Sequence, residues 1–569
     1  MRQRPKGNKA RLLATSALLP TGLLAGVLMG VTSPAASAAS TRASVASAPL
    51  VMEASAQGAV TDNFNPFLTS SADAQLGAIS LIYEPLLQFD VARPTQAPYD
   101  FLATGYTWGA GGRSITFAVR PQVEFSNGTP MTPADVAFTY TMLKQYPDIN
   151  TTGLPVTGAA VSGQDVTISF AAPQYTNLEN IANVYIVPQS IWSSVGDPGK
   201  YIDTDPIGTG PYTVENLTPE GFTLEANATY WGGPWDIGHR PAVPTIEFPA
   251  LSSNNTVVSA LVGNQLDWAG NFITGLPELF VNGDPDHKVW FAPVSTVTLC
   301  PNLTLWPTNQ LAVREAISLA VDRDTLSTQG ESGFEPPATN ASGLTLPGFR
   351  SLLSASVANM TLGQNLKQAR AVLKAAGYKL DSSGWFEKDG EVVSLSLTDP
   401  VAYGDYAADD AIVVTELEAA GIKATFVGQS ISSWETDVAD GDYQLTMHWG
   451  QASTSAYQLY SYWLNSSLYT SSLKSASGDF ERLDDKTVDA DLAVLAGATT
   501  FSKQKADLVP IEQYVATQLP VIPTLYGVAF DEYNTSSFSG WPSAGDPYES
   551  GSPNSPTNEV VVLRLTPAS

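Results

Sequence analysis

Between Met447 and Asn465 the chain reads MHWGQASTSAYQLYSYWLN. After Trp449 no acid occurs until Asp479. What the stretch offers is neutral hydrogen bonding beside flat rings: Gln451, Ser453, Tyr457, Tyr460, Tyr462 and Trp463. Aromatic faces with neutral amides and hydroxyls suit sugar rings, and the chemistry is capture, not bond breaking. Tyr457, Tyr460 and Trp463 also stand at helical spacing (i, i+3, i+6), the pattern of a core stripe.

Catalytic alternatives find little support. The sequence has no GxxxxGK, HExxH or GxSxG. An SxxK at Ser502–Lys505 lacks its SDN and KTG partners. The three histidines, His239, His287 and His448, are far apart, so no metal site and no cofactor are expected. Cys300, the single cysteine, sits in apolar VTLCPN and reads as a small buried hydrophobe. A secreted glycoside hydrolase, using two of the 55 carboxylates, is the distant rival.

The elements that must position these residues belong to a chain of 569 residues, too long for one core. With 43% hydrophobic residues and 12 Trp, 22 Tyr and 21 Phe, it is globular. Its net charge of −27 excludes a nucleic-acid binder, which needs clustered Lys and Arg to displace phosphate counterions. Residues 1–38 read as a signal peptide: Arg2, Arg4, Lys6, Lys9 and Arg11, an uncharged apolar run from Leu12 to Val31, then Ala36-Ser37-Ala38. The run is also long enough for an N-terminal anchor. No cysteine follows it closely, so the chain is not expected to be a lipoprotein. Residues 39–58, rich in Ala and Ser, read as a tether.

Order is expected from Ala59. Ala72–Ile82 reads as a helix. In SITFAVRPQVEFSNGTPMTPADVAFTY, Ser114 to Tyr140, alternation predicts a strand, Asn127-Gly128 a turn, and Thr132-Pro133-Ala134-Asp135 a capped helix start. Val166–Phe170 reads as a strand. GTGPYTVENL from Gly208 and GFTLEANATYWGG from Gly221 read as a hairpin. Val313, Ala316, Ile317, Ala320 and Val321 share one helical face. Ala369 to Ala376 repeats the pattern, with Gly377 as its stop. A helix ends at Gly421 and IKATFV follows as a strand, which suggests α/β organisation. Pro510–Gln518 reads as a helix, LPVIPTLYGVAF as a strand leaving the second lobe, Tyr533–Asn558 as loop and Val560–Leu565 as a terminal strand.

The phrase at Ser114–Tyr140 resembles one in the extracytoplasmic solute-binding proteins of ABC importers, family 5. YEPLL at Tyr83, GTGPY, NATYWGG, VREAISLAVDRDTL, ARAVLKAAGY, LEAAGIKATF, GDYQLTMHWG and LPVIPTLY continue in the family's order. The resemblance implies an α/β, two-lobed periplasmic-binding-protein fold (type II) with a ligand cleft between lobes. Its expected divisions are lobe 1 with a β-rich subdomain at 59–290, lobe 2 at 291–521, and a return to lobe 1 at 522–569. It implies a monomeric receptor on the outer face of the membrane, periplasmic or secreted, with separate permease and ATPase chains. Peptide-binding members place an Asp shortly after the tryptophan, and none stands here. The stretch from Glu335, EPPATNASGLTLPGF, is similar to a loop of the oligosaccharide-binding branch. An oligosaccharide ligand is therefore expected before an oligopeptide. Expected contacts are Trp449, Tyr457, Trp306 after the lobe crossover, Asn65 in NFNPF, Gln451 and Tyr460. Asp405, Asp409 and Asp410 could still supply acids for an amine.

Overall fold

The computed structural model describes residues 48–54, 59–233, 239–469 and 476–568. The expected signal peptide and the first part of the tether lie outside the described residues. No described helix is long and apolar enough to cross a membrane.

Two lobes meet at a narrow crossing. The first lobe carries a seven-stranded mixed sheet in the order 287–289, 532–534, 268–269, 50–53, 245–249, 221–226 and 212–218. Its β-rich subdomain is a four-stranded antiparallel sheet, ordered 103–108, 114–119, 165–170 and 156–162. Ile115, Phe117 and Val119 point into one core, as their alternation requires. On the other face the Thr116 and Thr167 hydroxyls meet at 2.8 Å. Helix Pro133–Gln145 starts where Asp135 accepts the Thr132 N–H and hydroxyl, both at 2.8 Å. The second Asp135 oxygen accepts the Gln189 N–H, so the cap also ties down the start of helix Gln189–Trp192.

The second lobe is built on a five-stranded sheet ordered 423–429, 394–400, 445–448, 297–301 and 522–525. Ser394–Pro400 and Lys423–Gln429 run parallel, joined by helix Gly404–Ala420. Cys300 is buried in Val297–Pro301, and burial pushes its thiol up, which leaves it unreactive. Ser502 and Lys505 lie on helix Phe501–Gln518, where the lysine donates to the Ser351 carbonyl. Between the lobes, Ala292–Pro293 pairs antiparallel with Val528–Ala529. These two short strands carry the chain out and back.

Several expected phrases converge on one buried carboxyl. Glu84 of YEPLL accepts from the Tyr230 hydroxyl at 2.9 Å and the Trp231 indole at 2.7 Å, both from NATYWGG. Glu559, near the C-terminus, lies 3.2 Å from the same Tyr230 hydroxyl and accepts from Gln88 at 2.7 Å. Gly208 of GTGPY packs beside them, where a Cβ would stand 1.9 Å from the Ile82 carbonyl oxygen.

Four sequence expectations need correction. Leu50–Glu53, assigned to the tether, is an inner strand of the seven-stranded sheet, parallel to both neighbours. Such strands are buried on both faces and lose the alternation that marks a half-exposed strand. Val560–Leu565, read as a strand, belongs to helix Asn558–Arg564. Its β-branched residues are all buried, so periodicity carried no signal. The Ala72–Ile82 helix is two short ones, Ala72–Gln75 and Ile79–Ile82, broken at Gly77 with φ +73°. Ile522–Leu525 stays in the second lobe's sheet beside Val297–Pro301, so the return crossing falls at 528–529 and not at 522.

Leu50→Ala, in a fully buried strand position, is expected to cost about 2–5 kcal/mol, read from the denaturant midpoint; no loss would return the segment to a tether. Glu53, Asp73, Glu416 and Glu481 are each pushed up to about 7 by burial. The folded chain therefore holds protons that the unfolded chain releases near pH 4, so stability falls as pH rises towards 7. His448, held down at about 4 by burial, acts oppositely but is one group against four. Melting is expected at higher temperature at pH 5 than at pH 8; the reverse order would contradict the protonated carboxyls.

Candidate ligand cleft

The buried strand Leu445–His448 ends where the chain comes to the surface and delivers Trp449 there. Its ring is 41% exposed, unusual for tryptophan. It packs on His448 at 4.5 Å and Trp434 at 5.6 Å, with Tyr403 and Tyr406 at 6.4 and 6.5 Å. Trp434 is fixed by its indole, which donates to the Thr446 hydroxyl, and that hydroxyl donates to Asp399. His448 is neutral at ordinary pH, and its Nδ1 faces the Trp449 carbonyl at 2.8 Å. Trp449 is thus held from behind and open in front.

Beneath Tyr406 lies a group of carboxyls: Glu331, Glu335, Asp405 and Asp409. Burial, then mutual repulsion, raises all of these except Asp405, where burial alone does so. Asp410 pairs instead with Asp399. Glu335 reaches the crossing, where its Oε1 accepts the Val528 N–H at 3.4 Å. Beside it Phe272, Phe291, Phe334 and Phe530 make edge contacts at 4.9–6.1 Å. Among the described residues, no group of three or more His, Cys, Asp or Glu side chains is arranged to hold a metal ion.

The segment after Trp449 touches the other lobe. Glu179 Oε2, at the start of helix Leu178–Ala182, accepts from the Thr454 N–H and hydroxyl, both at 2.8 Å. The Ser453 hydroxyl stands 2.8 Å from the same oxygen. The Ser455 hydroxyl donates to the Thr176 carbonyl at 2.7 Å, and the Gln458 amide to Asn177 at 2.9 Å. These bonds form a latch across the lobes, and they open helix Ala456–Leu464.

The expected contacts divide. Trp449 has the exposure of a ligand platform, and Gln451 is exposed just after it. Tyr457 lines a pocket of about 570 Å³ whose walls come from both lobes. Trp306 is half-buried and stacks on Tyr378 at 6.1 Å, against the second lobe's core. Tyr460 does not reach solvent: it is fully buried, with its hydroxyl spent on the Ser342 carbonyl. Its helical spacing did mark the core. Asn65 is also fully buried; its amide donates to the Pro198 and Tyr201 carbonyls and its oxygen accepts the Phe67 N–H. It shapes a turn and has no group left for a solute. Glu179 was missed, because its partners stand 274 and 275 residues away.

Residues 97–471 match the model of the bacterial extracellular solute-binding proteins, family 5. The nickel-binding periplasmic protein of Escherichia coli is 26% identical over 402 residues, 66% of this chain and 71% of that protein. A periplasmic oligopeptide-binding protein of Thermotoga maritima superposes with a TM-score of 0.82 at 22% identity, over 91% of this chain and 99% of that one. Its mannohexaose-bound structure gives 0.76 at 21%, over 91% and 98%. At that identity the superpositions establish the two-lobed fold alone. The family match covers most of the chain, and it makes the protein a member of family 5 of the bacterial extracellular solute-binding proteins, the receptors of ABC importers.

Proposed function

We propose that the protein captures an uncharged polar oligomer, an oligosaccharide, on the Trp449 face and presents it to a membrane permease driven by an ATPase. The half-exposed Trp449 ring, followed by residues without charge, carries this reading. A sugar ring stacks on such a face, and Gln451 and the neighbouring hydroxyls supply neutral hydrogen bonds. That a Thermotoga maritima protein of the same fold holds mannohexaose agrees with it. The receptor would work outside the cytoplasmic membrane as a monomer, exported by its leader.

A second reading has its own observation. Glu331, Glu335, Asp405 and Asp409 stand beneath Tyr406, itself in contact with Trp449. A buried carboxyl gains from an ammonium partner, so an oligopeptide bound through its α-amino group is the alternative.

Direct hydrogen bonds from Ser453 and Thr454 to Glu179 join the lobes. In this reading they help to hold the closed form, and the strand pair at 292–293 and 528–529 is the hinge.

A melting series with cello-, xylo- and manno-oligosaccharides and a peptide mixture separates the two ligands. A ligand at a hundred times its Kd adds about 2.7 kcal/mol to folded-state stability, a rise of several degrees. Saccharides are expected to raise the melting temperature, and Trp449→Ala to weaken them about tenfold with little change in the free protein. A rise with peptides alone would sink the sugar reading. For the latch, Glu179→Ala is expected to enlarge the ligand-free radius of gyration in small-angle scattering and to lower solute affinity as the closed fraction drops; an unchanged radius with unchanged affinity would remove Glu179 from closure.

A further inference from the structure

The pocket of about 570 Å³ that Tyr457 lines is not the Trp449 face: neither Trp449 nor Trp306 is among its walls. The chain leaves Trp449, passes through the latch, and only then enters the pocket at Thr454–Tyr457. One wall is the β-rich subdomain of the first lobe, with Tyr106, Trp108 and Tyr175. The other is the second lobe, with Tyr457, Phe501 and Gln504.

From these walls we infer a second saccharide-binding site, separate from the Trp449 cleft and completed only when the lobes are together. Its volume falls within the range of small-molecule sites, about 300–1,000 Å³. Its aromatic lining is placed and not incidental. Trp108 and Tyr175 meet at 5.0 Å with their planes tilted 56°. The Tyr175 hydroxyl also reaches back to the Gly109 carbonyl at 3.4 Å.

The polar lining selects the ligand's charge. Gln96, Thr499, Thr500 and Gln504 are neutral. Among the described residues the one charged group in the walls is Glu179, and its Oε2 already accepts the latch hydrogen bonds. A peptide carboxylate or a phosphate would meet no cation in these walls, which costs several kcal/mol in a half-enclosed site, and the Glu179 carboxyl that could face an ammonium is engaged by the latch donors. A neutral ring with one apolar face and a rim of hydroxyls meets both kinds of wall. Because Thr176, Glu179, Thr454 and Ser455 both line the pocket and carry the latch, its occupant would also favour closure.

The test uses the full chain and mannohexaose, with cellotetraose as a second probe, in calorimetric titration and saturation-transfer NMR. Thr499→Trp puts a bulky ring at an exposed lining position and should block the pocket without touching the core. Gln504→Ala is the milder second variant, in case Thr499→Trp melts early. The expected result is that Trp449→Ala protein still binds saccharide, that adding Thr499→Trp abolishes this by at least about tenfold, and that Gln504→Ala weakens it severalfold. Thr499→Trp alone should keep the cleft binding. If Thr499→Trp and Gln504→Ala bind both probes with wild-type affinity and stoichiometry, the pocket is no site, and the cleft reading stands untouched. If Trp449→Ala removes all saccharide binding, the second site is likewise overturned.

Discussion

A carboxyl buried without an ion pair sets the terms for the first lobe. Glu84 is fully buried, and it is held by the Tyr230 hydroxyl, the Trp231 indole and Glu559. Burial raises both carboxyls, and repulsion by Glu84 raises Glu559 further. An ionised group in such a place costs several kcal/mol unless its hydrogen bonds are complete. Completing them requires three stretches of chain to meet: 83–88, 230–231 and the helix at 558–564. The sheet strand 212–218 and the subdomain attached after Leu86 are placed by the same meeting. Three of the family's phrases, YEPLL, GTGPY and NATYWGG, therefore have a physical content here: they are parts of one buried polar junction, and Gly208 is the space it needs.

The elements that were legible in the sequence are those with one wet face. Ile115, Phe117 and Val119 alternate because one side of their sheet packs and the other carries Thr116. Val313, Ala316 and Ile317 repeat on a helix for the same reason. Where both faces are dry the pattern vanishes. Leu50–Glu53 and Val560–Val562 are the two failures, and both are wholly or almost wholly buried. A run of valines then says only that the place is apolar; whether it coils or extends depends on neighbours hundreds of residues away.

The candidate site was legible in part. Trp449 could be found because the stretch around it changes character: rings continue while charge stops. Tyr460 and Asn65 could not be assigned by residue type, since an aromatic or an amide serves a core or a turn equally well. The carboxyls under Tyr406 were named as a possibility through Asp405 and Asp409, but Glu331 and Glu335 join them only through folding. Glu179 carries no local mark at all. Its meaning comes from partners on the other lobe, and sequence distance hides it.

The junction at Glu84 also fixes an order in time. The second lobe is one unbroken stretch between the crossings at 292–293 and 528–529, whereas the first lobe lacks its strand 532–534 and helix Asn558–Arg564 until the second lobe has been made. Gln88 and Glu559 are 471 residues apart. The second lobe has all its parts before the first does, with Glu84 waiting for its partner. Contacts of that separation are slow to form. The first lobe is complete only when helix Asn558–Arg564 docks, so a chain lacking it and strand 532–534 would keep the Trp449 platform and lose the lobe that faces it.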